Sequence, residues 1–364
     1  MGAAAETREA RDERAEAWPA DPAAMEAGRA LLRANTRGRF VLVPDGDVDG
    51  LSAGAIALRA LERLGAEVVA VLPGKGEHVH TDALRARIVA ARPDVLVVLD
   101  MGSRGEPIVA GLPTLLVDHH APLRGFPPGA TVVSAFGHPP VAATSLLAWH
   151  LFREVAALQD CAWLGLLGAV ADLGAEPMPD VVKRMMGGVS RTSLREAIVL
   201  LNAPRRSAAH DITSAWEVLL RARDPADVAK GRVPGVEKLR EARAEVAAEV
   251  LRCARARPYF GGNVVVLPFR SGARVHPLVA QRAAARFADR IVIAANYDYL
   301  PGRVNFAMRS RAERDLLRYL HGVGAPLTGD SGHGHPGATG GSMPFEDFER
   351  LLVAMGFEAP PPRP

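Results

Sequence analysis

Cysteine is nearly missing from this chain: Cys161 and Cys253 are the two present in 364 residues, and they stand in no C-x-x-C pattern. That argues against a disulfide framework and a cysteine-based structural zinc site, and it suits a reducing cytosol. Aromatic residues make up only 5%. No stretch of about 18 uninterrupted apolar residues occurs, so no membrane span is expected. The apolar run Cys161–Ala171 is too short for one and reads as core. The first 21 residues mix Glu, Arg and Ala and lack the apolar segment of a signal peptide. A frayed or partly helical leader is expected over residues 1–24. A strong charge of either sign is also absent. The formal net charge of +3 tolerates an anionic substrate without selecting one. No internal repeat is found.

What is present is 48% hydrophobic residues, enough for a sizeable core, over a length that suits two domains. After a helix at Met25–Asn35, strand and helix patterns alternate. Strands are expected at Phe40–Val43, Glu67–Leu72, Asp94–Leu99 and Thr114–Val117. Helices are expected at Leu51–Leu64, Thr81–Arg92 and, briefly, near Glu106. Continuous apolar strands separated by helices argue for a parallel sheet covered on both faces. Residues 141–222 read as helical, in segments Ala143–Leu158, Cys161–Ala171, Val181–Met186, Arg195–Asn202 and Ser214–Arg221. A basic segment from Arg205 to Lys238 leads into a long connector helix, Val236–Arg257. A second α/β pattern follows. Its strands are Asn263–Pro268, Arg290–Asn296 and Arg303–Arg309, and its helices are His276–Phe287, Glu313–Leu320 and Phe345–Met355. The Pro-rich end is expected to be disordered. The expected division is 1–37 leader and helix, 38–222 first domain, 223–258 connector, 259–357 second domain and 358–364 tail.

Ligands in such sheets bind at the carboxyl ends of the strands, and there the apolar runs deliver acids and imidazoles. Asp45, Asp47 and Asp49 follow the first strand at alternate positions. Three carboxylates so close repel one another unless a cation compensates them, and oxygen donors suit Mg²⁺ or Mn²⁺. A solvated acidic turn is the alternative. An EF-hand is excluded, because Ile56 stands where the chelating Glu belongs. Asp100 ends the third strand, where it can bind metal or cap a helix. Asp118–His119–His120 ends the fourth. Consecutive side chains diverge, so one imidazole can ligate metal while the other faces substrate, and Asp118 can accept a ring N–H. Asp172 ends a wholly apolar helix, where it is either a polar residue at an exposed end or a carboxylate that calls for a cap, a partner or a metal. Gly332–Gly341 carries His333, His335 and several glycines, which can wrap backbone N–H groups around an anion or form a flexible turn.

The order of these motifs carries more than any one of them. D-x-D-x-D-G, L-D-x-G-S, V-D-H-H, A-D-x-G and G-H-P-x-A-x-G-G together resemble the DHH phosphoesterase superfamily with a C-terminal DHHA1 domain. Within it the motifs look most like those of RecJ-type single-strand exonucleases, and the resemblance spans about residues 38–357. It implies two divalent cations, Mn²⁺ first and Mg²⁺ as the alternative. Asp45, Asp47, Asp49, Asp100, His119 and Asp172 would be the metal ligands, with Asp100 bridging. His120 would face the scissile phosphate, and Asp118 would orient a histidine. Arg309, Gly334, His335, Gly340 and Gly341 would hold substrate phosphates. One departure stands out: many relatives carry His at the Asp45 position or four residues earlier, where this chain has Val41. No OB extension of the RecJ type is expected after the last motif. The implied activity is hydrolysis of single-stranded DNA or RNA from an end. Hydrolysis of short oligonucleotides or cyclic dinucleotides is the alternative within the same chemistry. A catalytically weak nucleic-acid-binding or replication scaffold is a third reading. The expected setting is cytoplasmic, with no membrane partner and with a monomer or homodimer left open.

Overall fold

In the computed structural model of the protein, residues 20–174, 179–312, 315–325, 327, 330–335 and 337–364 are described, with backbone alone at 179 and 330–335. Most of the expected leader lies outside them. The chain divides into two compact units. One holds the described residues through Asn202 together with Ile212–Val236; the other holds Ala203–Asp211 and Glu237–Pro364. The segment expected as a connector is thus divided between the two.

The first unit is built on five parallel strands: β1 (Arg39–Pro44), β2 (Glu67–Ala70), β3 (Val95–Leu99), β4 (Thr114–Asp118) and β5 (Thr131–Ser134). Their order is β2-β1-β3-β4-β5. The Val/Leu runs of β1, β3 and β4 are buried because helices cover both faces. On one face Val41, Val43, Leu96, Val98 and Leu116 pack with Leu84 and Ile88 of a helix at Asp82–Ala90. On the other, Gly28 of the helix Pro22–Ala34 lies against Leu115 and Val133 of the sheet and Leu151 of the helix Thr144–Phe152. Two more helices bear on the site, Val48–Arg63 and Ala162–Asp172.

The second unit has a six-stranded mixed sheet. Its strands are β6 (Tyr259–Gly261), β7 (Val264–Phe269), β8 (Ile291–Asn296), β9 (Arg303–Arg309), β10 (Asp330–His335) and β11 (Ala338–Pro344). The order is β10-β11-β9-β8-β7-β6. Val264, Ile293, Phe306 and Met308 form one core with Phe348 and Leu352 of the helix Phe345–Ala354. Ala294 and Ala307 form another with Val279 and Val246, which sit on the helices His276–Arg286 and Val236–Cys253.

Several expectations need correction. The short helix near Glu106 does not form: residues 104–112 make turns and one bridge, Arg104 with Leu123. Gly105 permits it, since a Cβ there would lie 2.4 Å from the Arg124 carbonyl oxygen. The helix expected to start at Leu51 starts at Val48, because Asp47 caps it. The helix expected to run to Leu158 ends at Phe152. Strand β5 had no counterpart in the sequence reading. The Gly-rich segment is not a loose loop but the antiparallel pair β10/β11. The tail expected to be disordered packs: the Arg363 guanidinium donates to Glu349 at 2.7 Å and lies 4.8 Å from the centre of the Phe345 ring.

Gly340 is where β11 comes close to β9. A Cβ there would sit 2.3 Å from the Phe306 carbonyl oxygen. Gly340→Ala is expected to destabilise the second unit by about 1–3 kcal/mol, the usual cost of overpacking, read as a lower urea midpoint.

Candidate metal centre

Each acid reaches the site by a local rule. β1 ends at Pro44, and Asp47 then caps the following helix: its Oδ1 accepts the backbone N–H groups of Asp49 and Gly50, both at 3.0 Å. The cap turns Asp49 inward. Gly50 must be glycine, because a Cβ would lie 2.6–2.8 Å from backbone atoms of Asp45. At the end of β3 the chain turns through Asp100 in the left-handed region, with φ +66. Asp118 is the last residue of β4, and its Oδ1 accepts the backbone N–H groups of His119 and His120 at 2.7 and 2.8 Å. Asp172 closes its helix with its side chain one-third exposed.

The resulting geometry is compact. His119 Nε2 lies 3.5 Å from Asp100 Oδ1 and 3.4 Å from Asp172 Oδ2. His120 Nδ1–H donates to Asp118 Oδ1 at 2.8 Å. The two imidazoles meet edge to face, with ring centres 4.4 Å apart. The His119 side chain is buried, while that of His120 is 47% exposed. Among the described residues, two groups of three can each gather donor atoms within 4.8 Å of one another: Asp100 with His119 and His120, and Asp49 with His119 and Asp172. His119 is common to both. Asp45 and Asp47 belong to neither group.

The electrostatics show what these positions cost. Burial, then the charges of Asp172 and Asp47, push the Asp49 carboxyl up to about 7. Burial, followed by Asp49 and the other nearby acids, raises Asp100 as well. For Asp118, burial works upward, but the hydrogen bond and charge of His120 outweigh it and hold the carboxyl below its usual range. For His120, burial works downward, yet the hydrogen bond to Asp118 and the charges of Asp118, Asp172 and Asp45 bring it up to about 9. Burial and the neighbouring His120 lower His119, which keeps it neutral and able to donate a lone pair. Buried carboxylates that repel one another, beside a neutral imidazole, fit a hard divalent cation.

The sequence reading missed the residues that hold Asp49 and Asp100. Thr144 and Ser145 open the helix Thr144–Phe152 with no local side-chain cap. Asp49 caps it from another helix: its Oδ2 accepts the Thr144 N–H at 2.8 Å and its Oδ1 the Ser145 N–H at 3.0 Å. A carboxylate suits that end of a helix, where free N–H groups and the dipole meet. Thr144 Oγ1–H also donates to Asp100 Oδ1 at 2.7 Å, so one residue ties the two acids. Gly168 leaves the room, since a Cβ there would lie 2.5 Å from Asp49 Oδ1. The Thr-Ser pair at a helix start is a capping signal, but its acceptor lies 95 residues away. In the second unit, Gly334 pairs with Thr339 and His335 with Ala338, while Gly340 and Gly341 lie in β11. The side chain of His335 lies outside the described residues. Arg309 ends β9, where burial lowers its pKa and its Nη1–H donates to the Met308 carbonyl at 2.8 Å.

Acids and imidazoles gathered at the carboxyl edge of a parallel sheet make a candidate metal centre in an α/β protein. Residues 39–170 match the DHH family, N-terminal domain. The match assigns a DHH domain to these residues alone, and the two-unit fold is similar to that of RecJ. RecJ from Thermus thermophilus in complex with Mn²⁺ is similar at a TM-score of 0.68 and 21% identity, over 94% of this chain and 56% of that one. This chain thus spans little more than half the length of that protein. An exonuclease RecJ bound to manganese matches at a TM-score of 0.65 and 22% identity, over 93% of this chain and 96% of that one. CDC45 from Entamoeba histolytica matches at 0.52 and 9% identity, over 91% and 96%. Comparison with curated proteins finds no match. No described helix is long and apolar enough to cross a membrane.

Two outcomes are expected. Thr144→Val keeps the backbone bond to Asp49 but loses the hydroxyl on Asp100; Mn²⁺ affinity by calorimetry should fall about tenfold. Asp49 binds its proton more tightly folded, at about 7 against an ordinary 3.8. Metal-free protein should therefore lose stability as pH rises from 3.8 toward about 7. Asp49→Asn should flatten that slope in urea unfolding of chelator-treated protein.

Proposed function

We propose that the protein is a divalent-metal-dependent phosphodiesterase that hydrolyses single-stranded DNA or RNA from an end. The observation carrying this reading is the meeting of Asp49, Asp100, His119, His120 and Asp172 in a chain whose residues 39–170 match the DHH family, N-terminal domain. The RecJ structures in complex with Mn²⁺ or Mg²⁺ support either cation, and we assign two ions with Mn²⁺ first. Asp49, Asp100, His119 and Asp172 would hold them, with Asp45 and Asp47 completing the set. When bound, such ions activate a water for attack and neutralise the phosphoryl oxygens.

The rest of the work falls to the chain's own groups. Asp118 holds His120 through Nδ1–H, leaving Nε2 for the substrate. In the metal-free protein, against the pull of burial, the Asp118 hydrogen bond and the charges of Asp118, Asp172 and Asp45 bring His120 up to about 9, an imidazolium near neutral pH. It pairs with a phosphate oxygen and gives its proton to the leaving oxygen. His119 stays neutral and offers a ring nitrogen to metal. Asp118 is a positioning group, since its low pKa keeps it an acceptor throughout. No side-chain nucleophile is required. In the second unit we assign phosphate holding to Arg309, Gly334, His335, Gly340 and Gly341. We assign a cytoplasmic setting, with which the two free, buried cysteines agree.

The test compares wild type with Asp100→Ala and His119→Ala on end-labelled long single-stranded DNA, single-stranded RNA, a dinucleotide and a cyclic dinucleotide, with and without Mn²⁺. Mn²⁺-dependent shortening of the long strands, reduced at least about a hundredfold in both variants, is expected. Cleavage of the dinucleotides alone would move the assignment to short substrates. Binding of single strands without any cleavage would make the protein a scaffold.

A further inference from the structure

The segment between β2 and the helix Asp82–Ala90 reads Gly-Lys-Gly-Glu-His-Val-His-Thr, and the metal set uses none of it. It is firmly tied. The Gly74 N–H donates to Glu77 Oε2 at 2.5 Å, and the Glu77 N–H donates back to the Gly74 carbonyl at 3.0 Å. Arg87 pairs with Glu77 and reaches the Leu72 carbonyl at 2.8 Å. Thr81 donates to the His78 carbonyl through both its N–H and its hydroxyl, each at 2.7 Å. This frame presents His78 to the turn that carries Asp100.

His78 Nε2 lies 2.5 Å from the Met101 carbonyl oxygen. A carbonyl can only accept, so Nε2 carries the hydrogen. His78 Nδ1 receives the backbone N–H of His80 at 3.3 Å, so Nδ1 is the acceptor. The two bonds together select one neutral tautomer, hydrogen on Nε2. Behind it the His80 ring stacks at 5.5 Å and 16°, with its side chain 1% exposed. Neither ring nitrogen of His80 has a hydrogen-bond partner among the described residues. It serves as a flat wall against which His78 is set.

The Met101 carbonyl belongs to the residue directly after Asp100, whose left-handed backbone an L residue rarely adopts. Among the described residues, bonds from three sides hold that turn. The Asp100 N–H donates to the Val117 carbonyl at 3.0 Å. Thr144 holds the carboxylate. His78 holds the carbonyl that follows, and of the three it alone comes from the β2 side.

We propose that His78 is a positioning residue: through Nε2–H and the Met101 carbonyl it locks the Asp100 turn so that the carboxylate meets the metal. The inference rests on the metal-centre reading above. Two substitutions separate its bonds. Gln at 78 can place an N–H where Nε2 stands and so keeps the donor to Met101. Asn at 78 can place an oxygen where Nδ1 stands; it keeps the acceptor for His80 but loses the donor. The readouts are Mn²⁺ affinity by titration calorimetry, and kcat and KM on end-labelled single-stranded DNA, with circular dichroism to confirm folding.

His78→Asn is expected to weaken Mn²⁺ binding about tenfold or more and to lower kcat at unchanged KM, while His78→Gln stays within about threefold of wild type. Equal behaviour of the two variants, or retention in Asn with loss in Gln, would overturn the assignment and leave His78 a loop residue. Wild-type protein that binds no Mn²⁺ would instead overturn the functional reading. Wild-type protein that binds Mn²⁺ but cleaves nothing leaves the calorimetric comparison to decide the role of His78.

Discussion

The burial of carboxylates, which repulsion among them makes costlier, is the constraint from which the rest of the first unit follows. Asp49, Asp100 and Asp118 are each at most 5% exposed, and all three sit at one sheet edge. Isolated charges so placed would neutralise rather than stay ionised. The fold meets each one differently. Asp49 takes the N-terminus of a helix, Asp100 takes a threonine hydroxyl, and Asp118 takes two backbone N–H groups and an imidazole. What these partners leave uncompensated is visible in the raised values of Asp49 and Asp100, and a cation would be held there.

The same constraint separates two chemically identical side chains. His119 and His120 are neighbours in sequence, yet burial keeps one neutral while Asp118 keeps the other charged. A neutral imidazole suits a metal, and a charged one suits a phosphate. That division depends on the strand end: β4 stops at Asp118, and the carboxylate folds back onto the next two residues. Small residues do the remaining work. Gly50 and Gly168 let chain segments approach within distances no Cβ would allow, which is how two helices and two strand ends meet at one point.

Much of this is legible in the sequence for a simple reason. A fully buried parallel strand is a continuous apolar run, and a polar residue at its end is therefore conspicuous. Asp100 and Asp118–His119–His120 are read in that way, and so are the strands that deliver them. Helix ends are less legible: Asp47 works as a cap, which moves the helix start to Val48 and puts Asp49 inside a helix rather than in an acidic turn. The Gly-rich segment misleads because glycine signals freedom locally, whereas Gly340 is required by the closeness of the neighbouring strand.

By itself the sequence determined the alternating architecture and the inventory of ligands at the strand ends, because both depend on local periodicity and on where apolar runs stop. Only the tertiary structure decided which acids are held and by whom. Thr144 meets Asp49 and Asp100 across 95 and 44 residues, and His78 meets Met101 across 23. A hydrogen bond of that kind leaves no pattern along the chain, since it joins donors and acceptors that only the packing of helices on the sheet brings within 3 Å of each other.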